Sequence, residues 1–201
     1  IVTNSGGPGI MATDAVCEHG MEIAHLSDQT KEALRSFLPA AASVKNPVDM
    51  IASAPLEHYK KTLETVLADD GVDMVVVIYL PFLGLKDIDV AKAVMEIRAA
   101  HPDKPIVGVF MTKNEFFAHL SETEVNVPFF MFAEQAVEGL ARLNQQRLWR
   151  ERTDTPAPRY SVDTETVEAV FKQAAADNRV QLTTGESLQV LAAYGVRVCR
   201  D

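Results

Sequence analysis

The stretch IVTNSGGPGIMATDA, residues 1–15, decides the fold class. Its first residues are apolar or β-branched, as in a buried strand, and they lead into the turn Ser5-Gly6-Gly7-Pro8-Gly9. Because proline is favoured in the first turn of a helix, we expect a helix to begin near Pro8. A strand, a glycine turn and a helix in this order predict the start of an alternating α/β fold.

The same alternation continues to about residue 150. Apolar residues recur at helical spacing from Leu56 to Leu67, within 87–100 and from about 133 to 152, and predict three helices, the first of which is expected to stop at residues 69–71. Strand candidates lie between the helices, so we expect a flavodoxin-like α/β fold: a parallel sheet of five strands with helices on both faces. The strand candidates are the continuous apolar runs MVVVIY (74–79), PIVGVF (105–110) and VPFFMF (127–132), the shorter MEIAHL (21–26) and the weaker VKNPVDM (44–50).

A change of composition follows at RTDTPAPRYSVD, residues 152–163, which is rich in proline, charge and small polar residues and is typical of a linker. Beyond it we expect helices over 164–176 and 184–194, Gly195 as a helix C-cap, and a strand start at VRVC (196–199). About 40 residues are too few for an independent core, so we expect the chain to be a piece of a longer polypeptide. The expected division is residues 1–152 as one domain, 153–163 as a linker and 164–201 as the truncated start of another domain.

Composition narrows the classes of function. The chain of 201 residues carries a net charge of −9 and has no basic block, which argues against binding to nucleic acid or to an anionic membrane. No apolar run approaches the roughly 18 residues needed to cross a bilayer. Two cysteines are too few for a disulfide framework and lack metal-ligand spacing, so we expect a cytoplasmic protein without a bound metal.

The glycine turn lies where ligands bind in parallel sheets, just beyond the carboxyl end of a strand. Glycines let backbone amides approach a ligand, and the helix that follows directs free amides and its positive dipole end at the turn, which suits phosphate or carboxylate. The motif is neither a nucleotide P-loop nor a dinucleotide fingerprint. The residues alone leave open whether the turn binds an anion or only packs tightly.

Two further segments are expected at the same edge of the sheet. In SVKNPVDMIASAP, residues 43–55, Asn46 is held extended before Pro47, and the Asp49 carboxylate is placed to accept hydrogen bonds from loop amides. In YLPFLG, residues 79–84, Pro81 ends a buried strand. Ordinary turn formation explains both segments equally well.

Taken together, TNSGGPGIMATDA (3–15), KNPVDMIASA (45–54), the strand end at Pro81 and LAAYGVRV (191–198) resemble the NDP-forming acyl-CoA synthetases of the succinyl-CoA synthetase superfamily. The resemblance covers nearly the whole chain and keeps the order of the motifs. It implies a flavodoxin-like CoA-ligase domain, a linker and the first elements of an ATP-grasp domain. It also implies an acid–thiol ligase that interconverts acyl-CoA, ADP and phosphate with acid, CoA and ATP through an acyl phosphate and a phosphohistidine.

The resemblance also assigns roles to residues of this chain. Residues 5–9 would bind the phosphoryl group, and Asn4 would help to bind the carboxylate or acyl phosphate. Asn46 and Asp49 would support the loop. The acyl group would be lined by Leu80, Pro81 and Phe82.

The family's phosphohistidine loop, of the Ser-His-Thr-Gly type, does not occur in this sequence, so we expect no catalytic residue here and no activity from this chain alone. The resemblance implies a CoA-binding and phosphohistidine domain and the rest of the ATP-grasp domain as partners, and a homo-oligomeric assembly. CoA, ATP or ADP and Mg²⁺ are expected for the complete enzyme, with nothing covalently bound.

Two other interpretations remain open at this level. Some relatives of these synthetases are regulatory domains fused to an acetyltransferase that modifies lysines. The chain would then sense a ligand instead of turning one over. The other interpretation is a non-catalytic flavodoxin-like binding module.

Overall fold

A computed structural model describes residues 1–82, 84–121, 124–153 and 156–198 of the chain. It divides into two compact units, Ile1–Arg152 and Thr153–Asp201. The first unit contains all of the described strands. The helices are α1 (Gly6–Glu18), α2 (Asp28–Phe37), α3 (Leu56–Leu67), α4 (Asp87–Ala100), α5 (Asn114–Ser121), α6 (Ala133–Arg150), α7 (Thr164–Ala176) and α8 (Thr184–Ala193).

The five strands form one parallel sheet in the order β2-β1-β3-β4-β5. This is the doubly wound order of flavodoxin-like folds, and it confirms the predicted fold class. The register pairs Val2 of β1 with Val48 on one side and with Val77 on the other. The strands are β1 (Val2–Thr3), β2 (Val48–Asp49), β3 (Val75–Tyr79), β4 (Ile106–Phe110) and β5 (Phe129–Phe130).

Helices cover both faces of the sheet because alternate residues of each central strand point to opposite sides. Val75 and Val77 of β3 pack in one core with apolar residues of α2, α3, α4 and α5. Val76 and Ile78 pack in a second core with α1 and α6. Burying one such side chain stabilises the fold by about 1.5–3 kcal/mol. This explains why β3 and β4, which are covered on both faces, are continuously apolar.

The helix expected over 164–176 is confirmed at those limits, and helices are present where they were expected from Leu56 onwards and within 87–100. The helix expected over 133–152 ends at Arg150, and the one expected over 184–194 ends at Ala193. The first helix begins at Gly6, two residues before Pro8. Sequence reasoning missed α2, which begins after the N-cap Ser27.

The strand expected over 21–26 is wrong. Both edges of β1 are already paired, with β2 on one side and β3 on the other, so this segment does not pair with β1. The segment is instead held by isolated hydrogen bonds, including one from Asn46 Nδ2 to the carbonyl of Ala24 at 3.0 Å. The edge position belongs to β2, within the segment 44–50 that was the weaker candidate.

The strand start expected at VRVC is also wrong for residues 196–198, and Cys199 lies outside the described residues. The amide of Val196 bonds back to the carbonyl of Leu191 at 3.0 Å, and Gly195, with a φ of +77°, closes the end of α8. This hydrogen-bond pattern is that of a helix C-cap with glycine, as expected for Gly195. No described strand lies in this unit to pair with residues 196–198.

The second unit is a pair of helices joined by a charged cluster. Arg179 donates to both carboxylate oxygens of Glu186, at 2.9 and 2.7 Å, and also bonds Asp177. The guanidinium of Arg179 holds the pKa of Glu186 well below its usual value, at about 2. In the part of the chain that is described, no helix combines the length and the hydrophobicity needed to span a membrane.

Candidate functional site

The carboxyl ends of the parallel strands share one edge of the sheet, and three predicted segments meet there. The glycine turn follows β1, residues 50–55 follow β2, and residues 80–82 follow β3. Direct contacts join them: Asn4 bonds Leu80, and Gly6 lies against Asp49. The structure therefore brings the predicted segments together, which the sequence order alone did not guarantee.

The glycine turn presents free backbone donors. The amide of Gly9 bonds the carbonyl of Ser5 at 3.3 Å, and Pro8 has no N–H. No partner within the described residues is found for the amides of Gly6 and Gly7, the first two residues of α1, and the Ser5 side chain does not cap them. Unpaired amides at a helix start, together with the helix dipole, favour an anion at this place.

Two glycines of the turn have different roles. A β-carbon on Gly7 would meet no atom within 4 Å, so this side of the turn is open. A β-carbon on the buried Gly9 would lie 3.3 Å from Thr3 Cγ2 and 3.6 Å from Pro47 Cβ. Gly9 therefore allows close packing of α1 on the strands, whereas Gly7 leaves space for a ligand.

Thr3 holds the turn in place, and sequence reasoning missed it. Its hydroxyl donates to the carbonyl of Ser5 at 2.8 Å and accepts from the amide of Ser5 at 3.0 Å. Thr3 is buried and would otherwise carry an unsatisfied hydroxyl. A threonine two residues before a serine–glycine turn is a local signal that could have identified this contact.

Asp49 lies beside the turn, as predicted. Its Oδ1 atom accepts from the amide of Ile51 at 2.9 Å, and its Oδ2 atom lies near Gly6. Ile51 has a φ of +66°, which is costly for a β-branched residue, so the bond from Asp49 stabilises a strained backbone. That Asp49 supports the loop during phosphate binding stays a prediction.

Asn46 points away from the turn. Its Oδ1 atom accepts from the Ile1 amino group at 2.9 Å, and its Nδ2 atom donates to the carbonyl of Ala24. Both contacts are at the amino end of β1. Any support that Asn46 gives to the turn passes through its neighbour Pro47, which lies next to Gly9.

Asn4 is buried, and both polar atoms of its side chain bond the backbone of Leu80. The Nδ2 atom donates to the carbonyl at 2.8 Å, and the Oδ1 atom accepts from the amide at 2.9 Å. These groups are therefore engaged inside the protein. The expected contact between Asn4 and a substrate carboxylate stays a prediction.

The segment 80–82 presents an apolar surface at the same edge. The exposed fraction is 38% for Leu80 and 46% for Phe82, and Pro81 is exposed between them. Large apolar side chains exposed together at a ligand edge suit the hydrocarbon part of a substrate. Their role in binding the acyl group also stays a prediction.

A cavity of about 530 Å³ lies at the opposite, amino edge of the sheet. Its lining includes Ile1, His25, Asn46 and Arg147, but no residue of the glycine turn. We place the candidate site at the carboxyl edge, because the unpaired amides of the turn lie at the start of α1, where the helix dipole also favours an anion.

Comparison with known proteins decides the family. The family model of the Ligase-CoA domain matches residues 1–141. The chain belongs to the Ligase-CoA domain family. The match spans the whole sheet and ends within α6.

Relatives of this Ligase-CoA domain include ADP-forming acetate–CoA ligases. The alpha subunit of acetate–CoA ligase (ADP-forming) II from Pyrococcus furiosus is 40% identical over 114 residues, which is 55% of this chain and 25% of that protein. Acetate–CoA ligase (ADP-forming) I from Archaeoglobus fulgidus is 28% identical over 209 residues, which is 98% of this chain and 28% of that protein. The chain thus spans roughly a quarter of the length of these two relatives. The predicted resemblance to NDP-forming acyl-CoA synthetases is confirmed.

Solved structures share the fold of this Ligase-CoA domain. One match is a crystal structure of a Pyrococcus horikoshii protein, with a TM-score of 0.67 and 35% identity. The match covers 73% of this chain and 35% of that protein's chain. The apo form of a dinucleotide-forming acetyl-coenzyme A synthetase from Candidatus Korarchaeum cryptofilum has a TM-score of 0.66 and 24% identity. This match covers 74% of this chain and 33% of that protein's chain. At that identity the second likeness supports the fold alone.

Proposed function

We propose that this chain is the CoA-ligase part of an ADP-forming acid–CoA ligase, and that its glycine turn binds the phosphate group that is transferred. The reaction converts acyl-CoA, ADP and phosphate into a carboxylic acid, CoA and ATP, or runs in reverse. Family membership supports the reaction class. The observation that carries the proposal is the pair of unpartnered backbone amides at Gly6 and Gly7, at the carboxyl edge of the sheet.

The chemistry explains why such amides are needed. A phosphate oxygen attacks the thioester carbonyl, the C–S bond breaks, and CoA leaves as the thiolate, giving an acyl phosphate. The phosphoryl group then passes to a histidine outside this chain, which releases the acid, and from the histidine to ADP. Charge stays on the phosphoryl oxygens throughout, so oriented donors such as the amides of Gly6 and Gly7 lower the barrier without forming a covalent bond.

The remaining parts of the reaction belong to partners. We propose that a CoA-binding and phosphohistidine domain supplies the thioester and the histidine, and that residues 164–201 begin an ATP-grasp domain for the nucleotide. Within the described residues, no three His, Cys, Asp or Glu side chains are grouped so that they could hold a metal ion. We derive no step from a metal on this chain. A cytoplasmic homo-oligomer is part of the same proposal.

The test is an assay of the complete protein that contains this chain. Acetyl-CoA, ADP and phosphate are mixed with the protein, and ATP and free CoA are measured in parallel. Equal amounts of ATP and CoA are expected. A folded protein that releases no CoA and makes no ATP with acetyl-CoA or with longer acyl-CoA substrates would overturn the proposal, and transfer of the acetyl group to lysine residues would favour the regulatory alternative.

A further inference from the structure

The side chain of Asn4 acts like an additional peptide group between β1 and β3. The last backbone pair of these two strands is Thr3 with Ile78. Beyond this pair the two strands form no further backbone pair. The side-chain amide of Asn4 spans the gap by bonding both the N–H and the C=O of Leu80. With 2% of Asn4 exposed, these bonds are shielded from water and their geometry is well defined.

The segment that Asn4 holds is the exposed apolar wall of Leu80, Pro81 and Phe82. The other end of this loop is also anchored: Tyr79 Oη donates to the carbonyl of Leu85 at 2.8 Å, and the amide of Leu85 bonds the carbonyl of Phe82 at 3.3 Å. Between these anchors the exposed side chains have no strand to hold them. Their position at the edge therefore depends on the bonds from Asn4 at one end of the loop and on those of Leu85 at the other.

We propose that Asn4 is a positioning residue for acyl-group selection, which acts through Leu80 to set the place of the apolar wall. The inference rests on the proposed function and deepens it. It takes the wall as the expected lining of the hydrocarbon part of the carboxylic acid, and it makes the discrimination between short and bulky acids depend on a residue that does not touch them. Because both polar atoms of Asn4 are already bonded to Leu80, Asn4 influences the hydrocarbon end of the substrate and not its carboxylate.

The experiment compares Asn4→Ala with wild type in the complete protein, with acetate and phenylacetate as the two acids. Loss of the amide frees Leu80 and displaces the wall. We expect the ratio of the two KM values to change by about five-fold or more, because pocket contacts of this size discriminate hydrocarbon groups by such factors. The KM for ATP is expected to stay within about two-fold of wild type.

Two further variants make the result decisive. Phe82→Ala removes an exposed wall side chain, so it is expected to fold normally and to change the same KM ratio. Val66→Ala removes buried methyl groups on α3, away from this edge, and serves as a control for lost stability: it is expected to lower Tm and leave the ratio unchanged.

Each other outcome has a clear meaning. If Asn4→Ala raises both KM values by the same factor, Asn4 binds the carboxylate directly and the positioning role is overturned. An unchanged ratio in Phe82→Ala also overturns it, even where Asn4→Ala fails to fold. A wild-type protein that is inactive with both acids and with acyl-CoA overturns the proposed function, and this assignment with it.

Discussion

The Asp49 carboxylate lies against the start of the first helix: its Oδ2 atom is 3.3 Å from the position that a β-carbon on Gly6 would occupy. A negative charge near a helix N-terminus interacts favourably with the helix dipole. The same charge repels any phosphate that approaches the neighbouring amides. Asp49 therefore both stabilises the turn and opposes the anion that the turn is proposed to bind.

Replacing this charge is expected to strengthen anion binding. Asp49→Asn removes the negative charge but keeps an oxygen that accepts from the amide of Ile51. We expect several-fold tighter binding of inorganic phosphate to the 201-residue chain, measured by isothermal titration calorimetry. Asp49→Ala also loses the bond to Ile51 and is expected to lower the free energy of unfolding by about 1 kcal/mol. Weaker phosphate binding by Asp49→Asn would contradict this view of the charge.

Gly7 offers a direct test of the phosphate turn. In Gly7→Val the new side chain has room in the protein but occupies the space in front of the free amides. We expect phosphate affinity to fall by about ten-fold or more, equivalent to about 1.4 kcal/mol, with little change in Tm. The measurement is phosphate titration of the wild-type and variant chains.

Gly185 supplies a matched control for that variant. It is the second residue of α8, as Gly7 is of α1, and a β-carbon on it would also meet no atom within 4 Å. Gly185→Val is expected to leave phosphate binding unchanged. Equal phosphate affinity in wild type and Gly7→Val would exclude the amides of the turn as the phosphate site.

Asp69 makes the fold sensitive to acid. The hydroxyl of Thr30 and the amides of Ser27 and Gly71 bond its carboxylate, and together they hold its pKa well below the usual range. A carboxyl group with a lowered folded pKa contributes stability above its unfolded pKa of about 4, and the contribution is lost as the pH falls further. We expect Asp69→Asn to lower the free energy of unfolding at pH 7 by about 1–3 kcal/mol.

Urea denaturation at two pH values checks this prediction. The difference between wild type and Asp69→Asn is expected to be largest at neutral pH and to shrink below about pH 4, where the wild-type carboxyl begins to lose its advantage. A difference that does not depend on pH would show that lost packing, and not the ionised carboxylate, explains the effect.

Gly108 is needed for the pairing of β4 with β5. A β-carbon at this position would overlap the ring of Phe129, which packs edge-on against Phe110 at a centroid distance of 4.9 Å. We expect Gly108→Ala to lower the free energy of unfolding by about 1–3 kcal/mol through overpacking. Thermal and urea denaturation measure the change.

A double variant and a control separate overpacking from other effects. Gly108→Ala combined with Phe129→Leu is expected to be less destabilised than the sum of the single variants, because the smaller side chain leaves room. Gly139→Ala on α6 places a β-carbon 3.6 Å from Phe130 Cζ, an ordinary contact, and is expected to be neutral or slightly stabilising. Additive effects in the double variant would contradict the overlap.

Local patterns in the sequence were sufficient for most of the fold. The helices at 56–67 and 87–100 were predicted from their apolar positions, because one apolar stripe of each helix faces the core. The continuous apolar runs of β3 and β4 showed that both of their faces are covered. The segment 21–26 misled the prediction: local pattern reports β propensity, but a strand also needs backbone pairing with a neighbouring strand, which this segment does not form.

The amino-acid sequence by itself determined the flavodoxin-like class, the family and the glycine turn, because these depend on periodicity and on residues adjacent in the chain. Only the tertiary structure decided how the turn is assembled. Asn4 and Leu80 are far apart in sequence, as are Gly6 and Asp49, and no local pattern predicts which polar atoms will meet. The parallel sheet brings them together because it aligns the carboxyl ends of strands that are distant in the chain, and buried polar groups there must find partners.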